Sequence, residues 1–542
     1  MSEIRELITN SSMPVYRWML KKEKYIFGLF LLITLSQLWI TRYVPSLDGP
    51  QHLLNASMFG NLMKGNELIS TFYTVNSNIV GYWTGHFLLS IFTMFLPSWL
   101  AEKLFLTLYV LGMVYAFRFL VKSINREKGN FISYIIFPFV YHMFILLGYY
   151  AFSLAAIFFF VGFGYYIRHM EAFKLKHVLV FSILLFVLFL THGLVYLFFG
   201  LSFVIFYIGI SIHSFLREDG NLTLKNWLRR SAILMLAFLP SLFVWSLYIR
   251  NVLSLDSTVA ASATPFKELL EYILRIRQLV GFHHRWESIA YIPLFILIAS
   301  SSFLTIWHFI KQLNGDTRKL LKLFSIQHIW LIIAVSFILL YFLAPDRISA
   351  GSLTNRFALY FFFLIITWLS MQKFSKTVQV LSLFILLFCV TFARGIHMDF
   401  YHRLNRDIKE LTALTEHMEP NTIVDYRQAS NNWVHGHFQL YAALDAPYVH
   451  LRNVQLWGQF PMVWDYETLP RCFAGEREIT PSGAIKVGED HPAVQIDYYT
   501  VFFKEQFWND STNLNWHKVL REDYEEIFVS GRNKAALYKR KE

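Results

Sequence analysis

The strongest constraint on this chain is a succession of apolar runs, each about as long as a bilayer is thick. A helix rises about 1.5 Å per residue, so roughly 20 apolar residues cover the hydrocarbon core. Runs of this kind lie near residues 25–43, 103–121, 131–149, 150–167, 178–191, 194–213, 231–249, 288–310, 325–344, 356–371 and 377–395. The residues are 55% hydrophobic and only 16% charged, where a soluble protein carries about 25% charged. That excludes an ordinary cytosolic enzyme, a disordered chain and a fibrous repeat. Two cysteines, Cys389 and Cys472, exclude a disulfide scaffold and a cysteine-rich zinc module. The first run is not a cleavable signal peptide, because no small-residue cleavage site follows Trp39-Ile40-Thr41-Arg42-Tyr43.

The net charge of +12 is unevenly placed. Residues 396–542 carry 16 Lys+Arg against 21 Asp+Glu, a balance of −5, which leaves +17 for residues 1–395. The basic excess belongs to the apolar part, so it reports membrane topology rather than nucleic-acid binding. The run at 79–96 is interrupted by Tyr82, Thr84, His86 and Ser90. If it does not cross, twenty Lys and Arg fall in six short segments on one side. If it crosses, every later loop inverts and the positive-inside bias fails repeatedly. The expectation is therefore about eleven transmembrane helices, a cytoplasmic N-terminus and an extracytoplasmic C-terminal region.

Two regions follow: a membrane body over 1–395, with outer loops at about 44–102, 250–287 and 345–355, and a domain over 396–542. In the first loop Leu54, Met58 and Leu62 recur at helical spacing and predict a helix along the membrane surface. In the second, Phe266, Leu269, Ile273, Ile276 and Val280 do the same. The tail reads as a small α/β domain, with a helix over 406–418 and strands at 421–426, 497–503, 527–529 and 533–538. No internal repeat is apparent.

The first outer loop opens Val44-Pro45-Ser46-Leu47-Asp48-Gly49-Pro50-Gln51-His52. Its proline and glycine fix a turn that holds one carboxylate at the membrane surface. Asp48 has two readings: the cap of a helix starting near Pro50, or that cap combined with general-base chemistry on an attacking hydroxyl. His52, one turn on, either orients Asp48 or is a surface histidine. Arg275, Arg277, Arg285, Arg347 and Arg356 run against the positive-inside bias. A guanidinium at the outer interface suits a phosphate or pyrophosphate, and snorkelling to lipid headgroups is the bland alternative. His283 and His284 share the loop with the first three arginines. In the tail, Trp433, His435 and His437 suit sugar contact or the core of a small domain. No metal ligand set and no cofactor are expected.

This arrangement resembles the GT-C superfamily of polytopic membrane glycosyltransferases. The likeness rests on one span, a long first outer loop opening with an acid, interfacial helices, about a dozen spans and an outer C-terminal domain. Ser46-Leu47-Asp48-Gly49-Pro50-Gln51-His52 is similar to first-loop motifs in poorly characterised bacterial members, a group alongside protein O-mannosyltransferases and aminoarabinose transferases. The resemblance implies transfer of a sugar from a polyprenyl-phosphate donor to a glycan, lipid or protein acceptor on the extracytoplasmic face, usually with inversion. It implies Asp48 as the base and the outer arginines as the donor-phosphate site. One departure is that Gly49 and Pro50 follow Asp48, where many members place a second acid, which weakens the case for a metal-dependent mechanism. Two alternatives stay open: an O-antigen ligase or polymerase acting on lipid pyrophosphates, and a non-enzymatic lipid or polysaccharide transporter. A bias toward Phe, Ile and Lys suits a bacterial plasma membrane, with membrane lipids as neighbours and no nucleic-acid partner.

Overall fold

The computed structural model describes residues 13–125, 130–216, 223–254, 264–313, 325–345, 353–451, 460–465, 471–474, 477–479 and 493–542. Among them, eight helices are long and apolar enough to cross a bilayer: Ser98–Ile124, Tyr150–Ala172, Gly193–Phe215, Leu224–Arg250, His284–Leu313, Ile326–Leu343, Leu353–Ser370 and Lys376–His417. The protein is a multi-pass membrane protein. Arg347 lies outside the described residues.

Three expected spans are shorter or broken. Glu23–Trp39 and Leu175–Thr191 have 17 residues each. The run expected over 131–149 divides into a 3-10 turn at Phe131–Ile135 and short helices at Ile136–Val140 and Met143–Leu146. Pro138 removes one ladder donor, and the Tyr109 hydroxyl donates to the Val140 carbonyl at the break, at 2.8 Å. The interrupted run at 79–96 forms the 13-residue helix Trp83–Phe95. At about 1.5 Å per residue it is too short for the hydrocarbon core.

The chain divides into two compact units. Unit one comprises Met1–Gln37, Leu108–Leu146 and Phe152–His397. Its interior is aromatic: Phe163 packs against Phe199, Phe206 and Trp330 at centroid distances of 4.7, 5.6 and 4.9 Å. Leu353–Ser370 buries residues on all sides, as a helix apolar all round should. The second-loop helix ends at Leu274 rather than continuing through Val280. Ile276 takes a positive φ of 44° and a separate turn follows at Arg277–Leu279.

Unit two comprises Leu38–Thr107, Leu147–Ala151 and Met398–Glu542. The first-loop helix is Gly49–Met63, and burial extends to Gln51, His52 and Asn55 as well as Leu54 and Met58. It is an interior helix of this unit rather than one lying on a surface. Ser57 donates to the Leu444 carbonyl at 2.9 Å, and the Asp445 carboxyl accepts from the Ser98 amide at 2.9 Å. The helix expected over 406–418 is the end of a 37-residue helix, Lys376–Thr412, continued by a 3-10 turn. The four expected strands form at Thr422–Gln428, Tyr498–Phe502, Tyr524–Val529 and Ala535–Arg540. With Tyr448–His450 they make a five-stranded mixed sheet, parallel through Thr422–Gln428 and antiparallel on both sides of Ala535–Arg540. Leu537 is fully buried on that inner strand, whereas Ile527 is 40% exposed. Leu537→Ala should lower stability by about 2–5 kcal/mol and Ile527→Ala by much less, read from thermal unfolding of the detergent-purified chain.

Candidate active site

Asp48 stands at the N-cap of Gly49–Met63, yet its carboxyl caps nothing. The Gly49 amide donates instead to Ser46 Oγ at 3.2 Å. Ser46 therefore occupies the capping role and leaves the Asp48 carboxyl for other contacts. Asp48 Oδ1 faces His437 Nε2 at 3.5 Å, and each side chain is 22% exposed. Gln51, one helical turn along, places its amide nitrogen 2.8 Å from His437 Nδ1. An amide nitrogen only donates, so His437 accepts at Nδ1 and presents an Nε2 proton to Asp48.

Burial pushes the Asp48 carboxyl up to about 7 and the His437 imidazole down to about 4. The histidine is neutral at physiological pH. The carboxyl is poised to take up or release a proton there, as a general base should be.

The turn is held from behind. The Asp48 amide donates to the Leu147 carbonyl at 2.9 Å. Gly148 has φ +90°, and a Cβ there would lie 2.4 Å from the Gly49 nitrogen and 2.9 Å from that of Asp48. Only glycine allows both the conformation and the approach. Gly49 is constrained from the other side. Its Cβ would lie 2.2 Å from Ser46 Oγ, 2.5 Å from the Tyr150 hydroxyl and 3.1 Å from Glu102 Oε1. Tyr150 donates to Glu102 Oε1 at 2.5 Å. A second, fully buried carboxyl thus sits beside the Asp48 turn although no acid follows Asp48 in sequence. The signal for it was an acid and a base, Glu102-Lys103, at the head of a span.

His52 stacks on the Tyr150 ring at 5.4 Å, and its Nδ1 lies 3.2 Å from His86 Nε2. His86 Nδ1 donates to the Tyr82 carbonyl at 2.9 Å. Burial lowers both imidazoles, His86 to about 4. The Asp48 carboxyl faces His437, while His52 stacks on Tyr150. His435 points elsewhere, 3.4 Å from Asp407 and 2.6 Å from Ser430 Oγ. Trp433 begins the same 3-10 run and is 44% exposed.

In unit one, Arg277 lies 2.5 Å from His284 Nδ1. Arg275 pairs with Glu271 on the surface. Arg285 lies over the Trp286 ring, and His283 accepts from the Trp286 amide at the helix start. Arg356 is buried, over the rings of Phe144 and Phe152 at 5.7 and 5.2 Å.

Sequence reading missed a buried polar network in this unit. Glu287 accepts from the Gly281 and Phe282 amides and lies 2.8 Å from His397 Nε2. Arg394 donates to Gln37 at 2.9 Å and to the Tyr291 hydroxyl at 3.1 Å. Glu287 opens its helix and Arg394 and His397 follow an apolar run, positions that resemble ordinary interfacial charges. Among the described residues, no group of three His, Cys, Asp or Glu side chains is arranged to hold a metal ion.

No protein-family model and no curated protein matches the sequence. The fold does have solved counterparts. The structure of ArnT from Cupriavidus metallidurans in the apo state aligns with TM-score 0.55 over 95% of this chain and 97% of that one, at 10% identity. The structure of the same protein bound to undecaprenyl phosphate aligns with TM-score 0.55 at 9% identity, with the same coverage. The chain has the ArnT fold, as the resemblance to the GT-C superfamily implied. Gly148→Ala should cost about 1–3 kcal/mol through backbone strain, with a lowered unfolding midpoint as the readout.

Proposed function

We propose that this chain is a membrane glycosyltransferase, moving a sugar from a polyprenyl-phosphate-linked donor to an acceptor at the extracytoplasmic face. The observation that carries the reading is the Asp48 carboxyl, released from capping and poised near neutrality. Support comes from the ArnT fold and from the undecaprenyl phosphate bound in one ArnT structure.

In this scheme the acceptor hydroxyl gives its proton to Asp48 as its oxygen bonds to the anomeric carbon. The bond from that carbon to the donor phosphate breaks, and the phosphate leaves with the electron pair. Attack opposite the leaving group inverts the anomeric centre. His437, held by Gln51, orients the carboxylate through its Nε2 proton. His52 is a positioning group, stacked on the Tyr150 ring. Developing charge on the phosphate calls for fixed cations. We assign that role to Arg277 and Arg356 foremost, with Arg275, Arg285 and Arg347 as further contacts. His283, His284, His435 and Trp433 are assigned to the sugar or acceptor. The scheme has the N-terminus cytoplasmic, the region after 395 outside and the membrane a bacterial plasma membrane.

Asp48→Asn should reduce product formation by at least about a hundredfold and leave undecaprenyl phosphate affinity within about threefold. Lipid-extract mass spectrometry and a thermal-shift titration measure the two. Normal product from that variant removes Asp48 from the mechanism. The active form is the unprotonated one, so the rate should fall about tenfold per pH unit below 7 and level off above it. His437→Phe deletes a donor that favours the carboxylate, so the inflection should move to higher pH. An unmoved inflection would exclude the Asp48–His437 coupling.

A further inference from the structure

We propose that unit one carries an anion-binding site of its own: a cavity of about 730 Å³, lined by Lys21, Lys24, Arg118, Lys122 and Arg168, that receives a phosphate group. Four segments converge on it. Lys21 and Lys24 flank the start of Glu23–Trp39, and Arg118 and Lys122 stand in the last two turns of Ser98–Ile124. Arg168 closes Tyr150–His169, and Ser133 comes from the Phe131–Ile135 turn.

The charge balance distinguishes this cavity from a row of interfacial anchors. Among the described residues Glu23 is the only acidic one in its lining, and Arg118 already holds that carboxyl at 2.5 Å. Lys122 lies within electrostatic range of both members of that pair. Four cations therefore share one concave space, and no further carboxylate among the described lining residues neutralises them. Retention of positive charge at helix ends explains why such residues occur. It does not explain why they surround a cavity. Like charges gathered in a cleft repel one another and concentrate anions from solution.

The rest of the lining suits a phosphate ester. Asn125 and Ser123 add neutral polar groups beside the cations, and Leu20, Phe119 and Val121 form an apolar wall. The Arg168 guanidinium lies 5.9 Å from the Phe119 ring centroid, which restricts its orientation. A planar guanidinium binds phosphate through two parallel hydrogen bonds, and basic pockets between helix ends are a known setting for lipid headgroups. A lipid phosphate and a soluble phosphate present the same chemistry here.

The test uses the full-length chain in neutral detergent. Two probes are titrated separately, dioleoylphosphatidylglycerol in mixed micelles and inorganic pyrophosphate, with dioleoylphosphatidylcholine as the blank. The unfolding midpoint and the apparent Kd are read. The wild-type chain should be stabilised by at least one anionic probe. Phosphatidylglycerol alone identifies a lipid source, and pyrophosphate alone a soluble one. The Lys122→Gln, Arg168→Gln double variant should weaken binding at least about tenfold, while Lys373→Gln, Lys376→Gln, which removes two cations outside the cavity, should leave it unchanged. Both cavity substitutions are at exposed positions, and single Arg168→Gln, with an expected loss of about threefold, serves if the double variant misfolds. Absence of binding by the wild-type chain overturns the site. Equal weakening in the two double variants does so as well, because it would reduce the effect to bulk charge.

Discussion

The contact on which the candidate site depends is the approach of Gly148 to the Asp48–Gly49 backbone. A glycine at φ +90° lets the Leu147 carbonyl accept from the Asp48 amide while the two chain segments nearly touch. That contact fixes where the helix Gly49–Met63 begins and therefore where the carboxyl stands. Gly49 completes the arrangement by leaving room for Ser46, Tyr150 and Glu102. Ser46 takes over the capping bond, so the acid is not spent on it.

The two units treat their ionisable groups in contrasting ways. In unit one, Glu287 accepts from two backbone amides and faces His397, and Arg394 donates through both terminal nitrogens to Gln37 and Tyr291. Charges removed from water persist when their hydrogen bonds are made, and these act as structural pins. In unit two, the Asp48 carboxyl makes a loose 3.5 Å contact with His437 among the described residues, and burial raises it to about 7. A buried carboxyl with few strong partners is the less stable arrangement. Unit one also holds the basic cavity, where Glu23 pairs with Arg118 and no other described lining residue is acidic.

Much of the architecture was legible from hydropathy alone. The apolar runs and the four tail strands depend on local periodicity, and eight of the eleven expected spans form helices long enough to cross. The failures were also local in appearance and tertiary in cause. The run at 131–149 is apolar enough to span yet breaks around Tyr141, where a hydroxyl from another helix satisfies the exposed carbonyl. Leu54 and Met58 suggested a surface stripe, but burial of Gln51, His52 and Asn55 shows that the polar side of the helix is covered too.

The sequence by itself determined that this chain lives in a bilayer and that Asp48 follows its first apolar run. These follow from composition and spacing, which are properties of neighbours along the chain. Only the tertiary structure decided that Asp48 faces His437, 389 positions later, rather than its own helix amides. Only it brought Glu102 and Tyr150 beside Gly49 and enclosed the basic residues of separate helix ends around one cavity. Side chains that distant in sequence meet through packing, and no local pattern records which of them will do so.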